Sequence, residues 1–430
     1  MAARRGARRT DLESGVTVVS EVRPGVESTC LGLYFPTGSR HETPQINGIS
    51  HLIEHLVFKG THKRSAEQIN REIDLLGGAS NAYTSKETLC LHGRVLSRHL
   101  GRIFDLFADM AVDALPAGLE REVELEREVI LSEIAAVEDS PEDLVGDLCD
   151  EIYFGDHPLA LPVAGSATAV ARLDLGRIRD HFRSHIVARD MVVAAAGKLE
   201  HDELVALAEE RLETLPSGDA RARGDAPALL SGTRVLERDL EQVQVCLSAR
   251  GLSRSDPRRM AAEVFSGVLG DGVSSRLFRE VRDRRGLAYS VGSSLSSYVD
   301  TGSLNIHFGV SPDKLDETLQ VVGEVLRQLR ADGAQDSELE AAKIHLHDGS
   351  VLSYEMPGAR MSYLADNVML GLDYLDVEHE LAMIEAVELR DVNALAAELL
   401  EPPLALAVVG PVDAGRLPAD GFEIPSGRIA

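Results

Sequence analysis

Apolar and polar positions along the 430-residue chain run through one order of strand-like and helix-like patterns twice. Early in the chain, Val16-Thr17-Val18-Val19 and Leu31-Gly32-Leu33-Tyr34-Phe35 are short apolar runs on either side of Arg23-Pro24-Gly25, which predicts two strands around a turn. A polar stretch leads into an apolar segment over 48–58 with helical spacing. A second helix is predicted over 65–76, closed by Gly77-Gly78. Residues 79–95 alternate like an antiparallel strand pair, and 102–114 reads as a further helix.

The same order returns later. Residues 234–237 and 243–248 read as strands, 258–268 and 275–282 as helices, 288–295 and 302–308 as strands, and 312–329 as a long amphipathic helix. Ala82-Tyr83-Thr84 in the first half has a counterpart in Ala288-Tyr289-Ser290 in the second. Farther on, 337–347 and 387–400 are helical patterns, and the apolar run 404–411 is expected to complete the second sheet. Between the halves, 216–230 is rich in Pro, Gly and charge, without apolar periodicity, and reads as a linker. The expected fold is α+β: two homologous α/β-sandwich domains, 1–215 and 231–430, each an antiparallel-rich mixed sheet with helices packed on one face.

Length supports two domains rather than one core. An apolar fraction of 44% with mean hydropathy near zero fits a globular chain, and no run approaches the roughly eighteen apolar residues of a membrane span. The basic N-terminus leads into Asp11 and Glu13 rather than an apolar stretch, so it is not read as a secretory signal, and the expected location is the cytoplasm. Cys30, Cys90, Cys149 and Cys246 are widely spaced, which argues against a thiolate metal site or a disulfide scaffold. The net charge of −26 points away from nucleic acid and is compatible with cationic peptides.

His51-Leu52-Ile53-Glu54-His55 lies inside the apolar helical segment. Residues i and i+4 share one helix face, so two imidazoles can pinch a single metal ion. Glu54 borders that face, where a carboxylate works on a metal-held water rather than on the metal. Taken alone, the pattern also fits two half-buried histidines satisfied by hydrogen bonds. A catalytic zinc usually takes three protein ligands. The acidic run 120–134 holds candidates, most of them a solvated face. Within it Glu126 and Glu133 stand two helical turns apart, about 10 Å, on one face. Both cannot reach one ion at ligand distances near ~2 Å, so one would ligate and the other orient a histidine. Spacing leaves open which does which.

Together with Asn81-Ala82-Tyr83-Thr84 and Glu124-Leu125-Glu126-Arg127-Glu128-Val129-Ile130-Leu131-Ser132-Glu133, the motif resembles the pitrilysin/insulinase family of inverted-motif zinc metallopeptidases. Within it the chain is most similar to the branch containing mitochondrial processing peptidase and its bacterial relatives. The likeness continues through Leu269-Gly270-Asp271-Gly272-Val273-Ser274-Ser275-Arg276-Leu277-Phe278 and Arg282-Asp283-Arg284-Arg285-Gly286-Leu287-Ala288-Tyr289-Ser290, and so spans nearly the whole chain. It implies His51, His55 and Glu133 as ligands of one zinc per chain, Glu54 as general base, and Glu126 as a carboxylate acting behind a ligand. It implies an edge strand at Asn81, Ala82, Tyr83 and Thr84 along which substrate lies extended. Asn81 equally suits a turn after Gly77-Gly78. Arg282 and Tyr289 match an arginine–tyrosine pair that contacts substrate and the developing oxyanion.

The activity implied is a zinc-dependent endopeptidase cutting peptides or unfolded, presequence-like segments inside a closed chamber. The resemblance implies that two such chains close around that chamber, and because this chain carries both the zinc motif and the arginine–tyrosine pair, a homodimer is expected. Two alternatives remain: a non-catalytic assembly subunit of the same fold, and a general peptide-clearing peptidase. The intact His51, Glu54, His55 and Glu133 count against the first.

Overall fold

The apolar runs of the first half become strands and their helical neighbours become helices. A computed structural model describes residues 6–218, 225–372 and 376–425. In chain order, β1 (Ala7–Asp11), β2 (Thr17–Val22), β3 (Ser28–Phe35), α1 (Ile49–Leu56), α2 (Ala66–Leu76), β4 (Ala79–Thr84), β5 (Leu89–Leu96), α3 (Leu100–Asp113), α4 (Glu120–Glu138), α5 (Pro141–Phe154), α6 (Ala167–Val170), α7 (Leu175–His185), β6 (Val192–Gly197) and α8 (His201–Arg211) follow one another. Then come β7 (Thr233–Glu237), β8 (Val243–Arg250), α9 (Arg259–Leu269), β9 (Ala288–Ser297), β10 (Gly302–Val310), α10 (Leu315–Asp332), α11 (Asp336–Tyr354), α12 (Pro357–Met369), α13 (Val377–Ala386), α14 (Leu389–Leu399) and β11 (Ala405–Gly410).

Two units emerge, each built on one mixed sheet. The first sheet runs β1-β2-β6-β3-β5-β4, with β2 and β6 parallel and every other pairing antiparallel. The second runs β7-β11-β8-β10-β9, with β7 and β11 parallel and the rest antiparallel. Without β1 the two plans coincide: the last strand of each unit inserts beside the first. The duplicated α+β fold read from the sequence is therefore present.

Alternation along β3 shows how the layers form. Leu31, Leu33 and Phe35 enter a core shared with α1, α3 and α8. On the other face Tyr34 Oη meets Ser362 Oγ at 3.2 Å, and a Cβ on Gly32 would lie 3.2 Å from Met361 Sδ, so α12 covers that side. In the second unit, Val245, Leu247, Leu406 and Val408 pack with α9, α10 and α14, while Cys246, Ala405, Ala407 and Val409 pack with Val145, Leu148, Cys149 and Phe154 of α5. Among the described residues, each sheet thus has helices on one face and a single helix on the other. Burial on both faces explains why β3, β6, β8 and β11 are nearly continuous apolar runs.

That single helix comes from the other half of the sequence. Residues 136–160 pack within the second unit and 352–376 within the first. Division by sequence order, 1–215 and 231–430, assigns both segments to the opposite unit, because an amphipathic pattern says that a face is buried and not against which sheet. Of the expected linker 216–230, residues 219–224 lie outside the described residues. The helix expected over 275–282 is mainly a six-residue π-helical segment, Phe278–Asp283, a wider winding that apolar spacing does not distinguish from an α-helix.

Candidate metal centre

Helix α1 presents the motif because its sequence has two faces. Ile49, Leu52, Ile53 and Leu56 are buried in the first core, each such side chain worth about 1.5–3 kcal/mol. His51, Glu54 and His55 fall on the remaining arc and are only partly covered. The helix begins after Gly48, whose φ of +94° is a conformation that favours glycine, and a Cβ there would meet the Ala164 carbonyl at 2.8 Å. Buried Glu42 caps this start. Its Oε2 accepts from Gly48 N at 2.7 Å and Asn47 Nδ2 at 3.0 Å, and its Oε1 accepts from Ser50 N at 2.8 Å. These carboxylate oxygens satisfy the free N–H groups of Gly48 and Ser50 at the helix start and hold α1 in register.

The two imidazoles stand with ring centroids 4.8 Å apart and planes at 82°. His51 Nε2 and His55 Nε2 each lie 3.7 Å from Glu133 Oε2 on α4. Ligand atoms of His51, His55 and Glu133 all fall within 4.8 Å of one another, a set able to hold a metal ion. Tetrahedral zinc with bonds near ~2.0–2.1 Å requires ligand separations of about 3.4 Å, so small side-chain adjustments close the set. The chemistry of the donors also fits. Burial, and then the neighbouring His55, push the His51 pKa down to about 4, which leaves a neutral imidazole with a free lone pair. The His51 Nδ1 is buried and has no hydrogen-bond partner among the described residues.

Glu126 and Glu133 separate as their two-turn spacing allows. Glu126 Oε2 sits 3.0 Å from His55 Nδ1, the ring nitrogen facing away from Glu133. Burial raises the Glu126 carboxyl, but contacts with Lys59 and His55 outweigh it and hold the group below the usual carboxylate range. Lys59 Nζ lies 2.7 Å from Glu126 Oε1. Glu54, between the histidines, is pushed above the ordinary value by burial; Thr84 and His55 pull it back, and the charge of Glu133 adds to the rise.

Thr84 belongs to β4, the edge strand of the first sheet, so Asn81, Ala82, Tyr83 and Thr84 lie along an edge beside α1. In register with β5, Asn81 pairs with His92 and Tyr83 with Cys90. Asn81 is in the strand and exposed, not in a turn, whereas Ala82 is buried. In the second unit, Tyr289 is the second residue of edge strand β9 and is 80% exposed. The Arg282 guanidinium stacks on it, 4.7 Å from the ring centroid, and on Phe278 at the same distance. The sequence reading passed over Lys59 and Glu42. Lys59 carries an i, i+4 relation to His55 that could have drawn notice; Glu42 lies in a loop with no periodic signal.

Comparison with known proteins accords with this architecture. Residues 17–167 match the family model "Insulinase (Peptidase family M16)" and 172–346 match "Peptidase M16 inactive domain". The chain is 39% identical to an "Uncharacterized zinc protease" of Mycobacterium leprae, over 94% of this chain and 92% of that protein. It is 34% identical to the "Uncharacterized zinc protease YmxG" of Bacillus subtilis, over 96% of this chain and all of the relative. The fold is shared with a peptidase M16 inactive domain from Pseudomonas fluorescens (TM-score 0.88, 21% identity, 97% of this chain and 100% of that one). It is also shared with a protease from Helicobacter pylori (TM-score 0.87, 21% identity, 95% and 100%). The chain belongs to the insulinase family, peptidase family M16.

Proposed function

We propose that this chain is a zinc-dependent endopeptidase acting on peptides and unfolded polypeptide segments. The observation that carries the reading is the convergence of His51 Nε2 and His55 Nε2 on Glu133 Oε2, with Glu54 on the same helix. His51, His55 and Glu133 would hold one zinc. Bound there, the ion supplies a Lewis acid that acidifies water and polarises a carbonyl. Glu54 accepts a proton at its carboxylate from the attacking water and returns it to the leaving nitrogen. Its raised pKa matches that double duty better than an exposed glutamate would. Glu126 accepts from His55 Nδ1 and orients the ring.

The free edge of β4 pairs with an extended substrate backbone, with Asn81, Ala82, Tyr83 and Thr84 alongside. The Tyr289 hydroxyl donates to the developing oxyanion, and Arg282, stacked on its ring, steadies it and contacts substrate. The likeness to the processing-peptidase branch further supports a homodimer in which each copy contributes to the other's chemistry around a closed chamber, since this chain carries both sets of residues.

Metal analysis combined with cleavage of a random peptide library tests this. The protein is expected to hold one zinc and to lose cleavage with chelator. Glu54→Gln should retain zinc and lose roughly 10²-fold or more in kcat. A Glu54→Gln variant as active as the parent would sink the mechanism.

A further inference from the structure

Of the two ring nitrogens of His55, only one can face a metal, and its lone pair exists there only if the proton sits on the other. The contact from Glu126 Oε2 to His55 Nδ1 at 3.0 Å selects that arrangement. Yet Glu126 is itself buried, and a buried carboxylate left without a counter-charge tends to swing toward water, which would release the ring. Lys59 removes that option, with its Nζ 2.7 Å from the second carboxylate oxygen, Oε1. Its backbone is held too: Lys59 N donates to Leu56 O at 2.9 Å in the turn that leaves α1. The ammonium therefore reaches Glu126 from the same segment that carries both histidines.

We infer that Lys59 is a positioning residue for the metal centre, holding Glu126 against His55 Nδ1 and so keeping His55 Nε2 available toward His51 and Glu133. This rests on the reading of His55 as a zinc ligand. Arginine at 59 preserves the charge and can reach the same oxygen; methionine preserves the stem and removes the charge. The role runs through Glu126, so it disappears when Glu126 cannot form the pair.

The test uses the full chain as the parent, Lys59→Met, Lys59→Arg, Glu126→Gln and the double variant Lys59→Met/Glu126→Gln. Zinc affinity is measured by competition with a chromophoric chelator, and the His55 tautomer by ring-nitrogen NMR of the metal-free protein. Lys59→Met is expected to weaken zinc binding about 10–100-fold and to lose the Nδ1-protonated tautomer. Lys59→Arg should restore both, and the double variant should bind no more weakly than Glu126→Gln. Parent-like affinity and tautomer in Lys59→Met would overturn the inference, as would an undiminished loss in the Glu126→Gln background. A parent chain that binds no zinc would overturn the functional reading together with it.

Discussion

At the scale of single residues, burial decides which ionisable groups carry an unusual charge state. His51 shows this where metal chemistry is proposed. Glu263, on the second unit's α9, shows it where no such chemistry is proposed. Burial pushes the Glu263 pKa up to about 7; Asp271 and Glu380 add to the rise and Arg259 opposes it. The folded state therefore favours the protonated acid. Between pH 4.5, the ordinary value, and about 7 the unfolded chain gives up this proton first, so the contribution to stability falls as pH rises. The full effect is on the order of 3 kcal/mol. Urea unfolding at pH 5 and pH 8 should show the parent losing more stability than Glu263→Gln across that interval. Equal losses would mean that the carboxyl ionises normally.

Among elements, the exchange of α5 and α12 has an energetic signature. α12 is tied to the first sheet by Arg360, whose Nε donates to Glu21 Oε2 at 2.9 Å and whose Nη2 pairs with the same oxygen. Tyr354 and Tyr363 flank the guanidinium at 5.4 and 4.8 Å to their ring centroids. Both charged side chains are almost fully buried. Removing one side of such a buried pair costs about 3–5 kcal/mol. Glu21→Ala is therefore expected to lower the unfolding midpoint and to speed amide exchange in 357–369 first, by tenfold or more. Unchanged protection there would show that apolar contacts alone seat the helix. Element type was legible for most of these segments, since 3.6-residue and two-residue periods mark helix and strand in residues such as 65–76 and 79–95. The sheet each helix covers was not, because Arg360 meets Glu21 across 339 positions.

For the molecule as a whole, the proposed homodimer makes a prediction that no single chain can fulfil. If Arg282 and Tyr289 of one copy serve the metal centre of another, Glu54→Gln mixed with Tyr289→Phe should regain activity, because mixed dimers hold one complete site. Recovery toward a quarter of the parent rate is expected after random reassortment: about half the dimers are mixed, each with one of two sites intact. No recovery, with exchange of subunits verified, would place each site within one copy.

Much of the proposed centre could be read along the chain because it is local: His51, Glu54 and His55 share one helical turn, and helix periodicity puts them on one face whatever surrounds them. The duplicated order of elements was likewise legible, since each strand and helix announces its own period. Long-range geometry was not. Glu126 and Glu133 have equivalent spacing on α4, and only the approach of α1 sets one carboxylate at His55 Nδ1 and the other at the two Nε2 atoms. Lys59 acquires its contact with Glu126 in the same way, and α5 and α12 their sheets. Local dihedral preferences act over a few residues and leave a trace in composition. Packing joins residues tens or hundreds of positions apart, and that pairing exists only once the chain has folded.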